Sequence, residues 1–398
     1  MAKTRDTKTH IGIFGRRNVG KSSFINTLTG QDIAIVSHQA GTTTDPVKKS
    51  IEIKGIGPVV IIDTAGIDDV GELGKKRIEK SFEVIRTIDL GILLISQNKF
   101  GEFEKDLIHK FKKYDIPWVC IHNKSDVESL KDDLRKEIEL FKVSCVDFST
   151  KKPTNLDKII GLIKDITPET SYKNKSILGD IIGKGDMVML ITPIDIAAPE
   201  GRLILPQVQM IRDIIDNRAI AIVLQEDEVE DFLNKSNIKP KLVICDSQIF
   251  DKADAIVPKE IPLTSFSVVL ARQKGDFESY MKGTPHLSKL KDGDKVLLLE
   301  SCTHLVSCED IGRVKLPNWI NNFTKKTLQY DFVAGLDKID DISKYAIVIQ
   351  CGGCMVTKKQ LQNRLKAATD IDIPVTNYGL AIAYMHGIYH RAIEIFQK

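Results

Sequence analysis

Gly15-Arg16-Arg17-Asn18-Val19-Gly20-Lys21-Ser22 stands between an apolar run, Ile11 to Phe14, and a stretch with helical character that begins near Lys21. This is the phosphate-loop pattern, two glycines bracketing four residues and followed by Lys and Ser. The glycines let successive backbone N–H groups turn toward a phosphate, and the start of a helix adds its positive dipole end. Lys21 can reach the β- and γ-phosphates, the Ser22 hydroxyl can ligate Mg²⁺, and Val19, Gly20 and Ser23 complete the cradle. The context predicts a strand, a tight turn and a helix, the opening unit of an α/β fold.

Three further pieces follow in order, each after or between apolar runs. Asp63-Thr64-Ala65-Gly66 ends Val59 to Ile62; Asp63 can hold the Mg²⁺ water shell and the Gly66 N–H can meet the γ-phosphate. Asn123-Lys124-Ser125-Asp126 follows Trp118 to Ile121. A carboxylate at Asp126 accepts from the ring N–H and exocyclic amine of guanine, whereas adenine leaves it unpaired, which favours GTP over ATP. Ser144-Cys145, after Ile138 to Val143, is expected to present a backbone N–H to the guanine carbonyl. Between the first two pieces, Thr43 within Gly41 to Asp45 is expected to ligate Mg²⁺ and sense the γ-phosphate. Any one of these strings also fits an ordinary strand–turn–helix junction; four in the right order point to a GTP/GDP site with Lys21, Asn18 and Thr43 as its catalytic residues.

Bulk composition is compatible with this. The chain has 398 residues, 42% hydrophobic and 28% charged, with a formal net charge of +3. That charge is too small for a broad electrostatic footprint on nucleic acid. Residues 1–9 are polar and basic without an apolar core, and no apolar run nears the ~18 residues of a membrane span, so a cytoplasmic protein with no membrane partner is expected. Seven cysteines, an odd and scattered set, fit a reduced compartment better than a disulfide framework.

The reading divides the chain at 1–172, 177–264 and 265–398, an α/β P-loop GTPase domain followed by two further small α/β domains. The polar stretch 167–176 reads as a linker. From Asp186 the α/β alternation restarts: Met187 to Ile191 as a strand, Pro206 to Asp216 as a helix, then Ala219 to Leu224, Val229 to Leu233, Lys241 to Cys245 and Ser265 to Leu270. This segment has no Gly-rich turn and no clustered His or Cys, so it is expected to serve as a homodimer interface through its sheet edges.

In the last segment Cys302-Thr303-His304 follows the strand Lys295 to Leu299, and Cys351-Gly352-Gly353-Cys354 follows the strand Tyr345 to Ile349. Neighbouring parallel strands would bring three thiols to one sheet edge. Three chemistries fit: a structural zinc site on Cys302, His304, Cys351 and Cys354, a redox disulfide of Cys351 and Cys354, or a 4Fe-4S cluster on the three cysteines with one iron open. Cys120, Cys145 and Cys245 read as core residues, and Cys308 is unassigned.

A TrmE-Era-like GTPase joined to a C-terminal Cys-x-His and Cys-x-x-Cys segment resembles the FeFe-hydrogenase maturation GTPases, the HydF family, over the whole chain. The resemblance implies a 4Fe-4S cluster on Cys302, Cys351 and Cys354, with His304, Glu309 or Asp310 as candidate fourth ligands. It implies a scaffold that receives a di-iron precursor from radical-SAM maturases and delivers it to apo FeFe-hydrogenase. Gln350 departs from the pattern, where a histidine often precedes the Cys-x-x-Cys. Asn18 matches the residue that holds K⁺ in relatives, and Ile67 stands where Ras-like enzymes carry a water-orienting Gln. The rival class is a zinc-stabilised GTPase of RNA modification or ribosome assembly.

Overall fold

The computed structural model describes residues 8–29, 46–53, 56–66, 68, 71–153, 155–166, 176–193, 203–301, 311–337, 339–354 and 356–397. It resolves two compact units, Met1–Asn174 and Lys175–Lys398. Among the described residues, no helix is long and apolar enough to cross a membrane.

The first unit is a six-stranded sheet in the order β2-β3-β1-β4-β5-β6. The strands are β1 Thr9–Gly15, β2 Val47–Ile53, β3 Gly57–Asp63, β4 Leu90–Ser96, β5 Trp118–Asn123 and β6 Cys145–Asp147. All pair in parallel except edge strand β2, which runs antiparallel to β3. Side-chain alternation sends Ile11, Ile13, Ile92 and Leu94 to one face and Phe14, Leu93 and Ile95 to the other. Both faces are buried, which is why these strands read as continuous apolar runs. The parallel register lines up Gly15, Asp63 and Asn123 at one edge: Ile13 pairs with Asp63, Gly15 with Leu94, and Ser96 with Asn123.

The second unit holds two four-stranded, all-parallel sheets. The first has β7 Met187–Ile191, β8 Ile220–Leu224, β9 Leu242–Cys245 and β10 Leu263–Ser265; the second has β11 Lys295–Leu299, β12 Gln329–Val333, β13 Ile347–Gln350 and β14 Val375–Asn377. β12 and β14 were not anticipated from sequence: Tyr330 and Phe332 are only half buried, and β14 has three residues, too few to show a period. Ser265 to Leu270 is mostly not strand but the start of the helix Phe266–Lys274, capped by the Ser265 side chain on Val268 N–H.

The two sheets share one plan. Numbered within each sheet, the order is second-first-third-fourth in both. Gly185-Asp186 precedes β7 and Gly293-Asp294 precedes β11, each glycine at φ +84°. Ile261-Pro262-Leu263-Thr264-Ser265-Phe266 and Ile373-Pro374-Val375-Thr376-Asn377-Tyr378 occupy the same place. The two halves also exchange their last helices. Thr264 Oγ1 donates to Ala392 O at 2.8 Å in the helix Tyr389–Glu394, which follows the second sheet. Thr376 Oγ1 lies 2.6 Å from Thr284 Oγ1, just past the helix Phe277–Gly283, which follows the first. Ala383, Ile388 and Ala392 accordingly join the core of the first sheet, and Val268, Ala271 and Tyr280 that of the second.

Candidate functional site

The phosphate loop leaves β1 at Gly15 and enters the helix Lys21–Thr29. Gly15 and Gly20 sit at φ +151° and +96°, conformations that suit glycine. A Cβ on Gly15 would come within 2.4 Å of Leu94 O, and one on Gly20 within 2.4 Å of Asn123 Nδ2. Asn18 takes φ +59°, a left-handed conformation that Asn tolerates best among residues bearing a Cβ. Lys21 Nζ donates to Gly15 O and Arg16 O, both at 3.0 Å. Arg16 forks onto Glu104 (2.7 and 2.8 Å), a carboxylate with no exposure, which also accepts from Gly101 N–H. That charge is therefore spent on anchoring the loop to the helix Glu102–Lys113. The Ser23 carbonyl accepts from Thr27 Oγ1 inside the helix, so Ser23 contributes to helix geometry.

Ser22 and Asp63 meet: Ser22 Oγ donates to Asp63 Oδ2 at 3.2 Å. Burial pushes the Asp63 carboxyl above its ordinary range, opposed by Lys21 and by the Ser22 hydroxyl. Its second oxygen is buried with no hydrogen-bond partner among the described residues. A hydroxyl and an unsatisfied carboxylate beside a lysine fit a hydrated Mg²⁺. Gly66 approaches Arg17, whose backbone N–H donates to Asp68 Oδ1 at 2.7 Å. Thr43 and Ile67 lie outside the described residues.

The base-selecting segment is fastened to the phosphate loop. Asn123 Nδ2 donates to Val19 O at 2.8 Å, and Lys124 Nζ donates to Asn18 O at 2.6 Å. Asp126 is exposed and accepts from Ser149 Oγ at 2.6 Å, which holds its carboxyl below the usual range.

One expectation is corrected here. Ser144 and Cys145 do not follow a strand: the segment before them is the helix Asp132–Glu139 and a turn, and Cys145 opens β6, paired with Cys120. Cys145 therefore lies beside the middle of β5, short of Asn123, and is a buried core residue. The apolar residues Ile138 to Val143 look strand-like but belong to a helix end. The loop that reaches Asp126 is the one after β6, where Ser149 is buried and Ser125 N–H donates to Phe148 O at 3.0 Å. The Asp147-Phe148-Ser149 signal was available as a second apolar–polar junction four residues on.

In the second unit, β11 and β13 are adjacent and parallel, with Leu299 opposite Gln350. Their C-terminal ends form the crevice where the strand order reverses, the usual ligand position in such sheets. Cys351 and Cys354 are half-buried and carry no disulfide. Ser301, the residue before Cys302, donates its N–H to Cys351 Sγ at 3.1 Å. Lys274, from the helix Phe266–Lys274, donates to Gly353 O (3.0 Å), Val356 O (3.2 Å) and Cys354 O (3.4 Å), so its ammonium gathers the Cys-x-x-Cys turn. Gly353 sits at φ +69°, and a Cβ there would strike Leu361 Cδ1 at 2.3 Å. Arg364 donates to Glu300 O and Val333 O, both at 2.5 Å, bracing the ends of β11 and β12, while Arg313 forks onto Glu300. Sequence reading missed Lys274, Ser301 and Arg364; nothing in their local spacing marks them, since each acts on a distant carbonyl or sulfur. Cys302, His304, Cys308, Glu309 and Asp310 lie outside the described residues. Two half-buried thiols on a turn with N–H donors directed at sulfur fit a thiolate-bound cation or cluster. Burial pushes the Cys120 and Cys245 thiols far up, as expected of core residues.

Residues 10–124 match the family model of the 50S ribosome-binding GTPase, residues 177–275 that of the Hydrogen maturase F dimerization domain, and residues 277–395 that of the Hydrogen maturase F tetramerization domain. The tRNA modification GTPase MnmE of Chromobacterium violaceum is 40% identical over 119 residues, 30% of this chain and 26% of that protein. MnmE of Clostridioides difficile is 33% identical over 171 residues, 42% of this chain and 36% of that protein. The matches thus span about a quarter to a third of those relatives' length. A crystal structure of Aquifex aeolicus Era bound to GDP and aluminium fluoride shares 20% identity, covering 55% of this chain and 93% of that one, with a TM-score of 0.37.

Proposed function

Because this chain belongs to the hydrogen maturase F family, with two of that family's domains filling residues 177–275 and 277–395, we propose that it is a GTP-hydrolysing iron–sulfur scaffold. In this reading it receives a di-iron precursor from radical-SAM maturases and passes it to apo FeFe-hydrogenase. The observation that carries the proposal is the adjacency of β11 and β13, which sets Cys351 beside Ser301, the residue that precedes Cys302 in sequence. Cys302, Cys351 and Cys354 would hold a 4Fe-4S cluster, which supplies an iron able to take an outside ligand reversibly; His304 is the candidate fourth ligand.

The nucleotide half works through its own residues. Lys21 and the loop N–H groups bind the phosphates, Ser22, Thr43 and Asp63 hold Mg²⁺, Gly66 senses the γ-phosphate, and Asp126 selects guanine. The loop after β6, from Ser149 to Lys151, takes the place first expected of Ser144 and Cys145. K⁺ beside Asn18 would supply positive charge that Arg16, committed to Glu104, does not.

Self-association is assigned to the second unit. β8 is an edge strand with Ile220 and Val223 exposed, and Val208 and Ile215 on the helix Leu205–Asp216 are exposed as well. An apolar edge of this kind invites pairing with a second copy, so a homodimer forms there.

The test is anaerobic reconstitution of the full chain and of single Cys→Ala variants at 302, 351 and 354, with iron and sulfide counting and electron paramagnetic resonance. The expected result is four iron per wild-type chain, loss of the signal in each variant and GTP hydrolysis retained. One zinc per chain with no iron–sulfur signal would overturn the reading in favour of a zinc-stabilised GTPase.

A further inference from the structure

The sulfur of Cys351 sits in a buried group of hydrogen-bonding partners centred on Ser301. Gln350 has no exposure and Ser301 is 5% exposed. Gln350 Nε2 donates to Ser301 Oγ at 3.0 Å and stands 3.5 Å from Cys351 Sγ. As a thiol, Cys351 Sγ donates to Ser301 Oγ at 2.9 Å, and Ser301 N–H donates to the sulfur at 3.1 Å. Since the serine oxygen already accepts from Gln350, its own proton is available to the sulfur when Cys351 is a thiolate. Successive polarisation along such a chain strengthens each bond. The remaining amide oxygen, Gln350 Oε1, is buried with no hydrogen-bond partner among the described residues. An orphaned acceptor is a cost, and orienting the amide nitrogen toward Ser301 is what that cost obtains. The side chain of Gln350 is thus turned into the sheet edge against Leu299 O and Cys351 O, in the posture of a support and not of a ligand.

We propose that Ser301 and Gln350 are positioning residues that direct hydrogen bonds at the Cys351 sulfur and thereby set the reduction potential of the cluster that Cys351 helps to carry. This rests on the cluster reading above. Donors to a ligating sulfur offset the extra negative charge of the reduced cluster, so they raise its potential. Two donors come from Ser301, the backbone N–H and the hydroxyl, and the hydroxyl is aimed by Gln350. Gln350 therefore acts on a cluster without binding iron, which accounts for a neutral amide next to the Cys-x-x-Cys.

The experiment is a potentiometric titration with dithionite, followed by electron paramagnetic resonance, on the full chain reconstituted anaerobically. Wild type is compared with Ser301→Ala, Ser301→Thr, Gln350→Met and Gln350→Glu, with iron counted in each. The expected result is wild-type iron in all, a more negative potential in Ser301→Ala and Gln350→Met, and the most negative in Gln350→Glu, whose carboxylate draws the serine proton away from sulfur. Ser301→Thr keeps the hydroxyl and keeps the potential. Should Ser301→Ala fail to load iron, Gln350→Met decides by its own potential. Fully loaded variants with the wild-type potential overturn the inference and leave the cluster standing. A wild-type chain that takes up no cluster overturns both.

Discussion

Asn123 Nδ2 donates to the carbonyl of Val19 at 2.8 Å, joining the base-selecting segment to the phosphate loop across 104 residues of sequence. The same nitrogen occupies the space that a Cβ on Gly20 would need, 2.4 Å away. Gly20→Ala therefore meets both a left-handed φ and a clash, whereas Gly57→Ala, at φ +100° with nothing within 4 Å among the described residues, meets only the first. Strain at such a φ costs about 1–3 kcal/mol. Thermal melts should show Gly20→Ala losing more than Gly57→Ala, with weaker GDP retention in Gly20→Ala alone. Equal losses and equal GDP binding would count against the clash.

Lys21→Ala and Ser22→Ala should each abolish GTP hydrolysis, while Asp126→Asn should leave a folded protein with altered base choice. An amide presents a donor where guanine offers donors, but suits the 2-oxo group of xanthine. Nucleotide competition should show GTP binding weakened by about tenfold or more, the scale of a hydrogen bond to a charged group, and xanthosine triphosphate binding improved. Unchanged selectivity would remove Asp126 from the base site. Because Ser149 lowers the Asp126 carboxyl, the charged form persists below the ordinary range, and guanine selectivity should fail only as pH falls through that lowered value.

Asp63 has the opposite sign. Its folded carboxyl is raised by burial, so its contribution to stability is present below the ordinary value of 3.8 and is lost as pH rises through the raised one. In Mg²⁺-free, nucleotide-free buffer, Asp63→Asn should melt higher than wild type, by about 2–4 °C per kcal/mol for a unit of this size. The gap should widen as pH climbs above 3.8 and close below it. Hydrolysis should be lost in the same variant. A variant that melts lower at neutral pH would show that the buried charge is stabilised by more than Lys21 and Ser22.

K⁺ should stimulate hydrolysis over Na⁺ at equal ionic strength, and Asn18→Ala should remove the difference. Asn18 also takes φ +59°, so the variant's melt is needed to separate ion binding from backbone strain. Equal rates in the two salts for wild type would exclude the ion.

Replacing Ile220 and Val223 together by Lys should convert the proposed homodimer to monomer in light scattering, since both are exposed on edge strand β8. Charged residues on an edge block strand pairing without touching the core. GTP hydrolysis, seated in the other unit, should be retained. A variant that stays dimeric would move the interface off β8.

Local pattern was enough wherever one peptide segment carries its own chemistry. The phosphate loop, Asp63 to Gly66 and Asn123 to Asp126 were legible because each sits at the end of a buried strand, where apolar residues give way abruptly to polar ones. The strands β11 and β13 were legible for the same reason, and with them the placing of Cys351 and Cys354 on one edge. Ser144 and Cys145 misled because a helix end rich in Ile, Leu, Phe and Val has the composition of a strand, and three-residue β6 shows no period of its own. The duplicated plan of the second unit was present as Ile261 to Phe266 against Ile373 to Tyr378, yet too short to stand out among 398 residues.

From sequence alone came the GTPase motifs and the Cys351 and Cys354 pair, because the residues of each motif stand within a few positions of one another. Only the tertiary structure decided that Glu104 takes up Arg16, that Ser149 reaches Asp126, and that the two halves of residues 175–398 exchange helices. It also decided that Gln350 turns inward to Ser301 and that Lys274 gathers the Cys-x-x-Cys turn. Each of these is a hydrogen bond or packing contact between residues 23 to 128 positions apart, and strand register, not local spacing, determines which distant groups share an edge.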